Sequence, residues 1–385
     1  MQRVSMILIW MLCAIFPLMA QTRVLTGAEQ TEKWLPLLRN KRVAVLANHT
    51  SMVGDEHLVD MLVRERVDLA GIISPEHGFR GTADAGEKVA NSVDERTGIP
   101  VWSLYGAHPR RLSPEQLQQF DVIVVDMQDV GLRFYTYYIT MLDAMAMCAD
   151  CNYPIIVLDR PNPNGMYVDG PILDMRYKSG VGALPIPVVH GLTMGEIARM
   201  AVGEGWSKSV ELTVIPCANY THSMRYTLPV APSPNLRTQH AVCLYPSTCL
   251  FEGTICSLGR GTDWPFEMYG HPDMQGCAFV FTPRSVAGAK NPPLLNRECR
   301  GVDLRGLPDE EIIAAGFNLE YVIDAYRRLG VGEKFFTPFF EKLVGVGYVR
   351  EMICAGASAA EIRARWQDDL QRYMKLRQKY LLYGE

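Results

Sequence analysis

Within Ser74-Pro75-Glu76-His77-Gly78-Phe79-Arg80-Gly81 the chain sets a carboxylate, an imidazole and a guanidinium almost side by side. Two glycines let the backbone turn sharply there. A carboxyl group flanked by His77 and Arg80 has what proton transfer to a leaving oxygen needs. Asp126-Met-Gln-Asp-Val-Gly-Leu-Arg-Phe-Tyr-Thr-Tyr137 is a second cluster, with Asp126, Asp129, Arg133 and Tyr135 close in sequence. Asp159-Arg160-Pro161-Asn162-Pro163-Asn164-Gly165 is a third, and His49 adds a further imidazole. Each of these groups directly follows an apolar run.

The second half carries two more dense stretches. Ser233-Pro-Asn-Leu-Arg237 supplies Asn235 and Arg237. Tyr245 to Thr254, continuing to Gly259-Arg260-Gly261-Thr262-Asp263-Trp264, supplies Glu252, Arg260 and Asp263. Arginine grips a carboxylate through two parallel hydrogen bonds, and an aromatic ring covers the apolar face of a sugar. This composition suits an anionic, sugar-like ligand. A loop braced by an arginine–carboxylate pair is the structural alternative.

The elements that must position these groups alternate in type. Apolar runs at 41–47, 67–73, 100–105, 121–126 and 154–159 read as strands, the fourth of the fully buried parallel kind. Helical periodicity lies between them, at 55–66 and about 136–149. Ser113 with Pro114 opens a short helix, and Thr193 with Glu196 forms a capping box. The expectation is an α/β fold: a Rossmann-like, doubly wound, mostly parallel sheet over residues 21–165, then a smaller α+β domain over 166–385 that completes the cleft. In such sheets ligands bind outside the carboxyl ends of the strands. Further strands are expected at 211–216 and 277–282, helices near 308–315 and 318–329, and one long amphipathic helix from 358 to 380 with a solvated polar face at Arg363, Asp368, Asp369 and Lys375.

Composition excludes several classes. The net charge of -4, with basic residues scattered, gives no nucleic-acid field. No G-x-G-x-x-G follows the first strand and no P-loop occurs, so no nucleotide cofactor is indicated. Residues 1–20, with Arg3 ahead of the apolar stretch Met6 to Met19 and with Ala20 at the end, read as a signal peptide. The protein is therefore expected to be exported, periplasmic or secreted, without integral membrane association after cleavage. Of the ten cysteines, Cys13 lies in that leader. The odd remainder cannot all pair internally, and buried, inert thiols are expected for most.

The motifs SPEHGFRG (74–81), DMQDVGLRFYTY (126–137), LDRPNPNG (158–165), HGLTMGE (190–196), SPNLRT (233–238) and YPSTCLFEGT–GRGTD (245–263) together resemble the exo-β-N-acetylmuramidase family, also known as DUF1343. The resemblance runs from about Val24 to the C-terminus. It implies a Rossmann-like domain paired with a smaller one, an active site in the cleft between them, and release of terminal, non-reducing β-1,4-linked N-acetylmuramic acid from peptidoglycan fragments without a cofactor. Under that reading Glu76 is the acid, with His77 beside it. Asp126, Asp129 and Glu252, or the substrate's own N-acetyl group, fill the second role. His49, Arg80, Arg133, Tyr135, Asn162, His190, Asn235, Arg237, Arg260 and Asp263 bind the saccharide. Two other classes stay open: a metal-dependent hydrolase ligated by Glu76, His77, Asp126 and His190, and a non-catalytic glycan-binding protein.

Overall fold

Apolar, β-branched runs buried on both faces make the central sheet. β1 (Val43–Ala47), β2 (Leu69–Ser74), β3 (Ser92–Val93), β4 (Pro100–Ser103), β5 (Val122–Asp126), β6 (Ile155–Leu158) and β7 (Leu212–Ile215) form it in the order β3-β4-β2-β1-β5-β6-β7. All neighbours are parallel except the edge strand β3, which pairs antiparallel with β4. Along β5, Ile123 and Val125 join the larger core, and Val122 and Val124 the smaller one on the opposite face. That alternation is the signature of a sheet covered on both sides. The computed structural model describes residues 23–75, 78–79, 91–104 and 110–385.

Helix α1 (Leu58–Arg64) covers the smaller core beside Trp34. Helices α2 (Tyr137–Cys151) and α3 (Met194–Gly203) cover the larger one. The expected capping box is present at Thr193/Glu196, and the helix opened by Ser113 and Pro114 also closes one, through Gln116. The connection from β1 leads to β2 on one side, and the later connection leads to β5 on the other. The sheet therefore reverses direction between β1 and β5, and a crevice opens outside their carboxyl ends.

The sheet does not end at residue 165, where the sequence reading placed the change of domain. β7 comes from beyond it, carried back by α3, and pairs with β6 along Ile155–Leu158. The smaller domain holds the antiparallel sheet of β8 (Met268–His271), β9 (Phe279–Phe281) and β10 (Cys299–Asp303), with β10 in the middle. Helix α4 (Gln239–Thr248), Asp309–Ala315 and Glu320–Leu329 pack around it.

The expected long C-terminal helix is broken into Ala359–Ala364 and Gln367–Arg377. Between them Trp366 turns inward, almost fully buried, and its indole N–H donates to Asp169 Oδ1 at 3.1 Å. Arg363 is likewise no merely solvated residue. It pairs with Asp169 and donates to the carbonyls of Ala315 and Phe317. The nine cysteines among the described residues are all free thiols.

Candidate active site

The crevice at the β1/β5 switch is built from four adjacent strand ends. After β1, Asn48 Oδ1 accepts from the Thr50 amide and hydroxyl. Thr50 Oγ1 in turn accepts from the Gln128 amide, 2.9 Å away, and the Ser51 hydroxyl donates to the Asp126 carbonyl. These short links lock the end of β1 to the end of β5.

Asp126 and Arg160 lock β5 to β6. Arg160 Nε lies 2.5 Å from Asp126 Oδ1, and Nη2 lies 2.9 Å from Oδ2. Nη2 also donates to the Met52 carbonyl. The Asp126 side chain is completely buried. The pair is bidentate, and its geometry offsets the desolvation that burial imposes. Asp126 was a candidate for the second catalytic role, but both of its oxygens serve this pair. Arg160, which sequence reasoning left without a role, is the partner that claims it.

Asp129, three residues on, differs. Its Oδ1 accepts from the Gly131 amide at 2.8 Å, while among the described residues the buried Oδ2 has no hydrogen-bond partner. Burial pushes this carboxyl up to about 7, against backbone N–H groups that pull it down. A protonated carboxyl near neutral pH is a proton donor in waiting.

Several expected binding residues are held in the interior. Arg133 donates through Nη1 to the carbonyls of Pro171 and Ile186, and through Nη2 to that of Leu343. Burial pulls the Arg133 guanidinium down to about 10. It packs so closely that a Cβ on Gly345 would lie 2.4 Å from Nη2. Arg133 therefore joins the two halves of the molecule, and its guanidinium does not face a ligand. Asn162 donates to the Leu192 carbonyl and accepts from the Asn164 amide. His190 is fully buried, its Nδ1 accepts from the Leu192 amide, and burial pulls its imidazole down to about 3. Asn235 is buried and donates to the Gly288 carbonyl. With Asp126 tied to Arg160 and His190 inside the core, neither presents itself to a shared metal with the other.

Beyond these strand ends lies a cluster of rings buried in the larger core, with one partly exposed ion pair beside it. The hydroxyls of Tyr135 and Tyr137 both donate to the Pro232 carbonyl, at 2.8 and 3.1 Å. His49 Nε2 lies 2.9 Å from the adjacent Ala231 carbonyl. The segment before Asn235 is thus clamped onto the sheet edge. Tyr135 packs edge-on to Tyr245, and Tyr245 packs edge-on to Phe266 at 4.7 Å. The Arg260 guanidinium lies over Phe266, 5.0 Å from the ring centroid. Arg260 also reaches Glu252 Oε1 through Nη2 at 2.5 Å and Nε at 3.0 Å.

The Arg260–Glu252 pair is only partly covered, with side chains 17% and 24% exposed. Among the described residues, Arg260 Nη1 and Glu252 Oε2 have no hydrogen-bond partner. Arg237 is exposed and, among the described residues, donates its one side-chain hydrogen bond to the Pro234 carbonyl, and Asp263 is exposed. Tyr245 and Phe266 belong to the larger core, where Phe266 supports the Arg260 guanidinium from below. Glu76, His77 and Arg80 lie outside the described residues. In sequence, Glu76 follows Ser74, the last residue of β2, by two positions. A groove lined by Arg39, Lys41, Glu65 and Asp68 lies at the opposite, amino-terminal edge and shares none of these groups.

The N-terminal family model of the exo-β-N-acetylmuramidase NamZ matches residues 43–240, and its C-terminal model matches residues 243–383. The chain is 37% identical over 368 residues to the peptidoglycan β-N-acetylmuramidase NamZ of Bacillus subtilis (strain 168), covering 90% of this chain and 88% of that protein. Two crystal structures of DUF1343 family proteins from Bacteroides fragilis NCTC 9343 share the fold. One has a TM-score of 0.89 at 55% identity, covering 94% of this chain and 100% of its own. The other has a TM-score of 0.76 at 28% identity, covering 94% and 99%.

Two predictions follow from the buried carboxyls. Asp126→Ala leaves Arg160 as an unpaired buried charge, so urea denaturation should show a loss of about 3–5 kcal/mol; an unchanged midpoint would show that the pair is dispensable. Asp129 has a folded pKa above its unfolded value, so the native state binds more protons than the unfolded state between about pH 4 and 7. Wild type should therefore gain stability relative to Asp129→Asn as pH falls across that window. A stability difference independent of pH would contradict the raised value.

Proposed function

This chain belongs to the exo-β-N-acetylmuramidase family, and we propose that it hydrolyses terminal, non-reducing β-1,4-linked N-acetylmuramic acid from peptidoglycan fragments. The observation that carries this is the identity to the Bacillus subtilis enzyme along 90% of the chain. The geometry supports it: the crevice at the sheet's switch point offers carboxyls, an arginine and aromatic rings together.

Glycoside hydrolysis needs an acid for the leaving oxygen and a second group, or the substrate's own, at the anomeric carbon. We assign the acid to Glu76, by its position in the sequence two residues after the end of β2 and by the carboxyl chemistry of its motif. Of the other carboxyls, Asp126 is committed to Arg160. Glu252 combines partial exposure with an oxygen that has no protein partner, which suits it to the second role. Asp129, buried and protonated near neutral pH, suits a supporting one. The Arg260 guanidinium is held by Glu252 and Phe266, is partly exposed, and among the described residues leaves Nη1 without a hydrogen bond, which suits it to the lactyl carboxylate of muramic acid. No metal or cofactor enters this scheme. Export through the leader at 1–20 would bring the enzyme to its substrate, and N-terminal sequencing of the mature protein should then begin at Gln21.

The direct test is incubation with a MurNAc-GlcNAc disaccharide, with products resolved by mass; absence of free N-acetylmuramic acid would refute the activity. Glu76→Gln keeps size and hydrogen bonding but cannot donate a carboxyl proton. Its kcat should fall by about 10²–10⁴-fold, with aryl glycosides of very acidic leaving groups partly spared. Near-full turnover of the disaccharide would move the acid elsewhere. Arg260→Ala should weaken muramic-acid substrates by roughly ten- to a hundredfold more than matched N-acetylglucosamine substrates, since a hydrogen bond to a charged group contributes about 1.5–3 kcal/mol. Equal losses on both sugars would remove Arg260 from carboxylate recognition.

A further inference from the structure

Trp264 keeps 42% of its surface in solvent, whereas Trp34, Trp102 and Trp366 are buried. A lone exposed aromatic is ordinary. This one, however, is fixed in place. The Arg305 guanidinium lies over one face of the ring, 4.4 Å from its centroid. Arg305 is itself aimed by Asp303, with Nε 2.8 Å from Oδ1 and Nη2 2.7 Å from Oδ2, and Phe279 lies 5.7 Å beyond. The Trp264 amide donates to Thr262 Oγ1. The ring is therefore pre-ordered, with Arg305 over one face and, among the described residues, no other cation or ring contact on it.

The backbone beside it is strained. Phe266 has φ of 70°, a left-handed conformation that bulky residues rarely adopt. Such a conformation persists only where its surroundings over-determine it. Here the strain turns Phe266 inward, against Tyr245 and under Arg260, while Trp264, two residues earlier, points out. Between Arg260 and Trp264 the chain turns through Gly261, at φ of 82°, with the Thr262 amide bonded to the Gly259 carbonyl. Four residues span at most about 14 Å when extended, and this turn makes them shorter. One strained loop thus carries a guanidinium in the crevice wall and a rigid aromatic platform outside it, within the reach of a disaccharide.

We propose that Trp264 is the sugar subsite on the leaving-group side. Its uncovered face stacks against the apolar face of the N-acetylglucosamine ring that follows the muramic acid. Arg305 and Asp303 serve as positioning residues that hold the platform. This rests on the hydrolase reading above and extends it from the sugar released to the sugar left behind.

Three measurements on the full-length enzyme test it. Trp264→Ala should raise KM for the MurNAc-GlcNAc disaccharide by roughly three- to tenfold, the range expected for loss of an aromatic stacking contact. Its kcat, and the inhibition constant of free N-acetylmuramic acid, which fills only the glycone side, should stay within twofold of wild type. Trp264→Phe should recover most of the KM. Added N-acetylglucosamine disaccharide should change the tryptophan fluorescence of wild type saturably, and that change should vanish in Trp264→Leu. An unchanged KM in Trp264→Ala overturns the subsite. So does a rise in both KM and the N-acetylmuramic acid inhibition constant, which would mean that the loop had shifted Arg260. Wild type that releases no N-acetylmuramic acid refutes the hydrolase reading instead, and the subsite with it.

Discussion

The buried pair of Asp126 and Arg160 sets the position of everything at the carboxyl edge. It joins the ends of two neighbouring strands, β5 and β6, and through the Met52 carbonyl it holds the turn after β1 as well. A strand end is ordinarily where a sheet loosens, because the ladder of backbone hydrogen bonds stops there. Here a charge-assisted, bidentate contact replaces the missing ladder. The turns that leave β1, β5 and β6 therefore start from fixed points, and the angle between their side chains is fixed with them. A buried pair is weak evidence for net stability. Its contribution here is positional: two groups capable of chemistry are used up to aim the others.

That use of polar groups decides which residues remain free for a ligand. Arg133 and Arg260 both sit near glycines, in motifs rich in aromatic residues, and look alike as sequence. Arg133 meets three backbone carbonyls in a closed interior and becomes a strut. Arg260 meets one carboxylate oxygen and one ring, and keeps an open N–H edge. The difference lies in tertiary partners such as Leu343, more than two hundred residues distant from Arg133. No local pattern records them.

The same distinction explains what could be read from the sequence. The parallel strands of the main sheet were legible because apolar, β-branched runs such as Val122-Ile-Val-Val125 admit few other readings, though the short, exposed edge strand β3 was not, and the helix starts at Ser113 and Thr193 were legible because capping chemistry is local. The strands β8 and β10 were not. Both contain glycine where two backbones meet: a Cβ on Gly301 would lie 1.9 Å from the Tyr269 carbonyl oxygen. Close approach across the pair, not side-chain pattern, selects those residues. The single C-terminal helix was misread for a related reason. Its periodicity is continuous, but Trp366 breaks it to reach Asp169, a partner far away in sequence. In the crevice, the chemical types were legible at each strand end, and the pairings that silence Asp126, Asn162 and His190 were not.

The two halves of the chain are also less separable than their sequence signatures imply. The last residues return to the first domain. Leu382 donates its amide to Glu196 Oε1, and the Tyr383 hydroxyl reaches Asp159 Oδ2 at 2.6 Å while accepting from the Cys217 amide. Asp159 also accepts from Thr193 Oγ1 and from the Gly195 amide at the start of α3. The carboxyl end of β6, the start of α3 and the end of the chain are therefore tied at one buried carboxyl, which burial raises to about 6. Arg133 ties the halves a second time, and the Pro232 carbonyl, held by two tyrosines, a third. With three buried polar ties, each costly to leave unsatisfied, neither half can move without breaking hydrogen bonds that water does not reach. These ties hold the two halves together at the carboxyl edge, so that the groups around the crevice are oriented before any ligand arrives.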